Sequence, residues 1–331
     1  MRRTLLSLIA HWAGGEIHGD DVAIDAISND TRQMSPGSLY VALRGERFDG
    51  HDFGTDAQAR GASALLVERL LPLNLPQVLV ADSELALARI AAGMQRDRST
   101  GVFAITGSNG KTSVKTLLLD ILRQHAQVEH KVVHANPGNF NNEIGLPLAV
   151  IAAPEDADFA VYEMGAGKPG DIAYLTDIVR PRWSLVNNIA AAHLERMGSL
   201  QGVASTKGAI YAALPADGVA VINADDAFAP WFEQHFIGTP PRCGVLRFGL
   251  DHSADVSASA IRFDAAGSHF LLHTPAGKAE VTLPLPAPRR RGGGGYRARA
   301  RPATTSAMHW PQPHWHWRRA FRCRRSWPRW R

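Results

Sequence analysis

The segment Gly107-Ser108-Asn109-Gly110-Lys111-Thr112 joins an apolar run, Val102–Thr106, directly to a stretch of helical spacing that opens at Lys111. No other feature restricts the fold as much. A strand that enters a helix through a glycine-rich turn belongs to layered α/β sheets, because parallel strands need crossover connections. The surrounding sequence repeats the arrangement. Strands are predicted at Val102–Thr106, Lys131–His134, Phe159–Glu163, Trp183–Asn187, Gly218–Asn223 and Val245–Phe248. Helices are predicted between most of them, at 111–124, 143–151, 170–178, 199–213 and 227–236. This alternation predicts a mostly parallel sheet with helices on both faces. Ala254–Leu285 instead alternates apolar and polar residues around Gly267 and Gly277, which predicts antiparallel hairpins.

The first 82 residues read as a separate small α/β module. Leu5–Trp12 has helical spacing and is stopped by Gly14-Gly15. Apolar runs at Ser38–Leu43, Ala64–Val67 and Gln77–Val80 predict strands, and Ser83 is the expected N-cap of a helix to about Arg96. The expected organisation is therefore 1–82, a linker helix within 83–98, a central domain at 99–286, and a different kind of segment at 287–331.

Charge marks that last boundary. The chain has 36 Lys and Arg against 31 Asp and Glu, a formal net charge of +5. Residues 287–331 hold 13 Arg and no acid, so 1–286 carries 23 basic and 31 acidic residues, a net of −8. The overall basic balance therefore does not point to a nucleic-acid partner for the folded part. Two cysteines, Cys243 and Cys323, exclude a disulfide scaffold or a cysteine-rich metal site. The apolar stretch after Arg2 and Arg3 is broken by His11, Trp12 and glycines, and no later window approaches a membrane span. A cytoplasmic protein is expected, with no membrane partner.

The residues suited to chemistry cluster at predicted strand ends. Thr106-Gly107-Ser108-Asn109-Gly110-Lys111-Thr112-Ser113 has the context of a phosphate-binding loop, although Ile105 stands where the common form has another glycine. Its backbone N–H groups and helix terminus favour phosphate oxygens, Lys111 can neutralise phosphate charge, and the Thr112 hydroxyl can join a magnesium shell. Asn136, Asn139, Asn141 and Asn142 crowd one loop, more amides than capping needs, and could hold a polar substrate or a metal-bound water. Glu163 ends a strand, where a carboxylate can coordinate Mg²⁺. His193 follows the next strand end, in Asn187–Glu195, and a lone histidine there is more often structural. Lys207 lies well inside a predicted helix, where a solvated lysine is the ordinary reading.

In this order the motifs resemble the Mur ligases, the ATP-dependent amide ligases of peptidoglycan precursor synthesis. Ser-Val-Lys after Lys-Thr, Glu-Met-Gly-Ala-Gly-Lys-Pro-Gly from Glu163, and Ala-Ala-His-Leu-Glu-Arg-Met-Gly-Ser from Ala191 are most similar to the branch that adds D-alanyl-D-alanine. Asn29–Arg32, Pro36–Gly45 and Phe48–Phe53 resemble that family's uridine-nucleotide-binding module. The resemblance implies an acyl phosphate made from ATP and a UDP-N-acetylmuramoyl-tripeptide, then displacement of phosphate by the amine of D-alanyl-D-alanine. It implies Lys111, His193 and Lys207 as catalytic residues, with Thr106–Ser113, Asn223 and Asp226 at the nucleotide. It implies Mg²⁺ at Thr112, Glu163, His193 and a carbamylated Lys207, although Ala209 stands where the family has glutamate. Ser28, Asp30, Thr31, Arg32, Asp49, His51, Asn139, Asn141 and Asn142 would bind substrate, in a monomer.

After Leu283-Pro284-Leu285-Pro286 the resemblance stops. The family continues with Gly-Arg-His-Asn and a Rossmann-like third domain, whereas residues 287–331 contain no Leu, Ile, Val, Asn, Lys, Asp or Glu. The expectation is a reading-frame change near Pro286, a missing third domain and impaired turnover. Two other readings are a sibling ligase, of the diaminopimelate-, lysine- or polyglutamate-adding kind, and a non-catalytic nucleotide- or UDP-sugar-binding protein with an RNA-binding tail. The coding DNA around codon 286 tests the first expectation: another frame there should encode Gly-Arg-His-Asn followed by an aliphatic-rich domain, and its absence would leave the tail as an authentic segment.

Overall fold

Alternate residues of the strand Gly101–Thr106 are buried on opposite sides in the computed structural model, which describes residues 1–264 and 267–284. Phe103 and Ile105 pack with Val161, Leu119 and Leu122, while Val102 and Ala104 are buried on the other face. A strand enclosed on both sides is the mark of a central parallel strand. The Arg/Trp-rich segment and the expectations attached to it lie outside the described residues.

The N-terminal sheet is made of β1 (Glu16–His18), β2 (Ala26–Ser28), β3 (Ser38–Val41), β4 (Ala64–Val67) and β5 (Gln77–Leu79), in the order β1-β5-β4-β3-β2. Only the β1–β5 pair is antiparallel. Thr4–Leu5 and Ala23–Ile24 add a two-residue ladder that frames α1 (Leu6–Ala13). These short strands carry too few residues to show a period of two, and only β3, β4 and β5 are foreseen from sequence. α2 (Ser83–Arg96) follows. Its N-cap is Asp82, whose Oδ1 accepts from the Leu85 N–H at 2.9 Å, so the cap lies one residue before the expected Ser83.

The central sheet uses β6 (Gly101–Thr106), β7 (Val133–Ala135), β8 (Phe159–Glu163), β9 (Trp183–Val186), β10 (Val219–Asn223) and β11 (Gly244–Phe248), in the order β11-β10-β9-β6-β8-β7. β6 pairs in parallel with β8 on one side and β9 on the other. The chain thus crosses from β6 outward to β7, returns to β8, and then passes to the opposite side at β9. Such a reversal opens a crevice beyond the carboxyl ends of the strands, where α/β sheets bind ligands. The crossovers include α3 (Lys111–Glu129), α4 (Gly145–Ile151), α5 (Asp171–Val179) and α6 (Leu200–Ala212). α3 outruns its expected end at 124 because Lys115, Leu119, Leu122 and Ala126 continue one buried stripe. The expected helix 227–236 is an α-turn, Ala229–Phe232, followed by a π-helical turn, Glu233–Ile237.

Contacts divide the chain into two units, Met1–Val221 with Phe228–Val245, and Ile222–Ala227 with the residues from Leu246 onward. The second contains the expected antiparallel hairpins, β12 (Ser257–Asp264), β13 (Gly267–Thr274) and β14 (Gly277–Leu283), with a register shift between Ser259 and Arg262. Among the described residues no helix is long and apolar enough to cross a membrane.

Within the first unit, Arg98 fastens the end of the α2 segment to the last turn of α4 and the residues just after it. Its guanidinium donates to Val150 O at 2.7 Å and Ala153 O at 2.9 Å and meets Glu155 at 3.2 Å. Nearer the middle of α2, Gly93 faces Trp12 of α1. A Cβ built there would stand 2.4 Å from Trp12 Cγ. Gly93→Ala in an exposed helix would stabilise by about 1 kcal/mol. Here the displaced indole outweighs that gain, and the variant is expected to lose roughly 1–3 kcal/mol, measured by urea unfolding. A stability equal to or above the parent would contradict this packing.

Candidate functional site

The turn after β6 depends on two glycines. Gly107 has φ +150° and its Cβ would stand 3.0 Å from Asn187 Cβ, while Gly110 has φ +75° and faces the Asn187 amide at 2.9 Å. A side chain at Gly110 would be strained in that left-handed conformation. Gly110 is also the N-cap of α3, and being glycine it places no side-chain acceptor on the first-turn N–H groups. Those donors and the positive helix terminus make an anion-binding turn. Lys111 Nζ donates to Gly107 O at 2.9 Å, and Thr106 Oγ1 donates to Met164 O at 3.0 Å, which seats the turn between β6 and β8.

The segment after β9 laces onto the same turn. The side-chain amides of Asn187 and Asn188 both donate to Asn109 O, at 2.8 and 3.1 Å, and Asn188 Oδ1 accepts from the Asn109 N–H at 2.9 Å. Ser108 N–H donates to Asn188 O at 2.9 Å, and Ser108 Oγ both donates to Ala190 O and accepts from its N–H. The turn is thereby fixed by neighbouring chain rather than by its own short sequence.

At the end of β8, Glu163 is 3 % exposed and is held from three directions. Thr112 Oγ1 donates to its Oε2 at 2.9 Å, Asn141 Nδ2 donates to its Oε1 at 3.0 Å, and Lys115 Nζ lies 3.5 Å from Oε2. Asn136 pairs with the Glu163 backbone in both directions, accepting from its N–H at 3.0 Å and donating to its carbonyl at 2.9 Å. Asn142 Oδ1 accepts from the Gly145 N–H at the start of α4. Thus Asn141 orders the carboxylate, Asn136 orders the backbone beneath it, Asn142 bonds the first N–H of α4, and Asn139 is exposed. Lys115 escapes sequence reading, since a lysine one turn into a helix has the look of a solvated residue. The signal that could have found it is its place on the apolar stripe of α3.

A cavity of about 410 Å³ opens beside the turn. Gly107, Ser108, Lys111, Asn141, His193 and Lys207 are among the residues that line it, as are Lys168 and Arg196, which sequence reading did not single out. His193 is exposed and left-handed, with φ +53°, ahead of the short helix Leu194–Met197. Lys207 is 2 % exposed, which corrects the expectation of a solvated helix lysine. Thr112 and Glu163 bring two hard oxygen atoms within 2.9 Å of each other, while His193 and Lys207, the other residues expected at a metal, line the cavity. No cluster of three or more His, Cys, Asp or Glu side chains that could hold an ion is present among the described residues.

Burial, and secondly the charge of Lys111, push the Lys207 ammonium down to about 8 from its ordinary 10.5. Between these values the unfolded chain binds more protons than the folded one. The penalty is therefore complete below pH 8, and stability rises with pH from about 8 to about 10.5. Lys207→Met should stabilise the unmodified chain by roughly 1–3 kcal/mol at pH 7, with the difference vanishing by about pH 10.5 in urea titrations. A pH-independent difference would contradict this account.

The remaining sequence candidates lie elsewhere. On the N-terminal sheet, Asp30 receives a two-pronged bond from Arg32, at 2.9 Å for each contact, and accepts from the Arg32 N–H. These side-chain and backbone bonds hold its carboxyl down to about 2. Thr31 and Arg32 form the turn it caps, and Ser28 Oγ bonds the Asp30 backbone. Asp49 is pushed up by burial, but bonds from the His51 N–H, Arg69 and the His51 ring hold it well below the carboxylate range. His51 is fully enclosed: Nδ1 meets Asp49 and Nε2 accepts from the Glu68 N–H at 2.8 Å, so both ring nitrogens serve the loop itself. None of these residues lines the cavity. Asn223 and Asp226 belong to the second unit, where Asn223 O accepts from the Asp226 N–H at 3.1 Å. There the neighbouring Asp225 gathers the N–H groups of Leu250, Asp251 and His252.

Comparison with known proteins identifies the family. Residues 105–289 match the Mur ligase middle domain, and residues 23–93 match the Mur ligase family catalytic domain. The UDP-N-acetylmuramoyl-tripeptide–D-alanyl-D-alanine ligase of Escherichia coli K12 is 44 % identical over 281 residues, covering 84 % of this chain and 60 % of that protein. Its Haemophilus influenzae counterpart is 38 % identical, covering 81 % of this chain and 57 % of that protein. A crystal structure of MurF from Acinetobacter baumannii superposes with a TM-score of 0.78 at 30 % identity, over 86 % of this chain and 62 % of the other. MurF from Thermotoga maritima, in complex with ADP, gives 0.69 at 29 %, over 78 % and 57 %. The chain spans about 60 % of the length of the relatives it matches. Since a family description covers more than half of its residues, the chain belongs to the Mur ligase family.

Proposed function

We propose that the chain carries the site of an ATP-dependent amide ligase that joins D-alanyl-D-alanine to a UDP-N-acetylmuramoyl-tripeptide. The observation that carries this reading is the meeting of Gly107, Ser108, Lys111 and the buried Lys207 on one cavity, with Asn141 linking its lining to Glu163. A phosphate-binding turn, a lysine facing it and hard oxygen atoms for a cation suit the activation of a carboxylate by ATP. The names of the relatives at 44 % and 38 % identity supply the substrates.

Two anions, the substrate carboxylate and a triphosphate, have to meet. In this reading the N–H groups of 107–112 and the end of α3 hold the phosphates, and Lys111 offsets charge on the transferred group. Thr112 and Glu163 offer hard oxygen atoms 2.9 Å apart, which suit Mg²⁺. When bound with the nucleotide, the ion would neutralise phosphate charge. The carboxylate oxygen then bonds to the γ-phosphorus as ADP leaves. The amine of D-alanyl-D-alanine attacks the acyl carbon, and phosphate leaves. His193 and Lys207 border the cavity in which this would occur. The lowered Lys207 pKa enlarges the neutral amine fraction, the form that adds carbon dioxide to give a carbamate. A carbamate would replace an awkward buried cation with a carboxylate-like group. Ser28, Asp30–Arg32, Asp49 and the loop that His51 supports form the corresponding uridine-nucleotide region, and Asn223 and Asp226 are the further nucleotide-binding candidates.

Whatever phosphate release the purified chain sustains, however slow, tests the reading. Release from ATP should require both the UDP-linked tripeptide and D-alanyl-D-alanine, and Lys111→Ala should lower it at least ~100-fold. Release that proceeds without the tripeptide, or equally well with lysine, diaminopimelate or glutamate as the amine, would overturn it.

A further inference from the structure

Lys115 has no part in the reading above, yet it is one of the most enclosed charges in the chain, 5 % exposed. It stands one helical turn beyond Lys111. Its Nζ donates to Asn136 O at 3.1 Å and Gly138 O at 3.4 Å while meeting Glu163 Oε2 at 3.5 Å. The two carbonyls fix the ammonium in place, so it cannot swing away when another cation approaches. Oε2 is also the atom that the Thr112 hydroxyl meets. A divalent ion shared by Thr112 and Glu163 would therefore share its carboxylate oxygen with a fixed ammonium.

We propose that Lys115 cancels the charge of Glu163, so that the Thr112–Glu163 pair accepts a divalent cation only together with nucleotide phosphate oxygens and never alone. The inference rests on the assignment of Thr112 and Glu163 as cation ligands. The carboxylate and ammonium together present no net charge, and among the described residues no group of three or more His, Cys, Asp or Glu side chains that could hold an ion is found. Bare ions would give up their water for one hydroxyl and a compensated carboxylate, a poor exchange for a strongly hydrated cation. Phosphate oxygens seated on the turn at 107–112 supply the missing negative charge. Lys115 is thus a positioning and selectivity residue, which holds Glu163 in register and sets the order in which metal and nucleotide bind.

Titration of the full chain with Mn²⁺, followed by the paramagnetic resonance signal of the free ion, tests this. The wild-type protein should bind Mn²⁺ tightly only when ADP is present. Lys115→Gln keeps an N–H donor for the two carbonyls but removes the charge, and it should bind Mn²⁺ without ADP at least ~10-fold more tightly than wild type. An unchanged affinity in that variant would overturn the proposal. So would wild-type binding without ADP that equals binding with it and is lost in Glu163→Gln. The wild-type comparison decides the matter even if Lys115→Gln fails to fold, which thermal unfolding would reveal. If Glu163→Gln leaves the ADP-supported binding intact, the ligand assignment itself fails, an outcome separate from failure of the charge-cancelling role.

Discussion

The carboxylate of Glu163 is a buried charge, and much of the central domain is arranged to make it tolerable. Removing such a group from water costs several kcal/mol unless it is paired and hydrogen-bonded. The partners come from separate stretches of chain: Thr112 and Lys115 from α3, and Asn141 from the loop before α4. Asn136 fixes the backbone of the same residue. One electrostatic requirement therefore sets the start of α3, the path of the asparagine loop and the end of β8 relative to one another. The phosphate-type turn inherits its placement from this arrangement.

A second constraint works from the opposite side of β6. Asn187, Asn188 and Ala190 hold Ser108 and Asn109 through six hydrogen bonds of 2.8 to 3.1 Å. With both flanks tied, the N–H groups of the turn need little rearrangement to meet an anion, which is how pre-organised donors gain strength. Cationic groups gather where the two flanks meet, at Lys111, Lys168, Arg196 and Lys207. They suit a site in which phosphate and carboxylate come together.

Much of this was legible in the sequence, and the rest was hidden for physical reasons. The β6–α3 junction was readable because its glycines are required by local backbone geometry and its lysine and threonine suit phosphate chemistry. The alternation of strands and helices was readable through hydrophobic period. Asp82 and Ser83 are both good N-caps, and only tertiary placement decides between them. Lys115 and Lys207 resemble solvated helix residues until the sheet buries them, so their roles depend on long-range packing that spacing alone does not encode. His51 reads as a ligand-binding residue from its motif, yet the fold turns it inward onto Asp49 and the Glu68 N–H. The π-helical turn at Glu233–Ile237 likewise has no local signature.

The central claim is that the crevice at the β6, β8 and β9 strand ends receives a nucleotide polyphosphate. Calorimetric titration of the 331-residue chain with Mg²⁺·ADP, beside its Lys111→Ala variant, tests it most directly. The account predicts binding by the parent chain and an affinity at least ~10-fold weaker in the variant, since a lysine-to-phosphate contact is lost. Equal affinities, or no heat of binding in a folded parent chain, would contradict it.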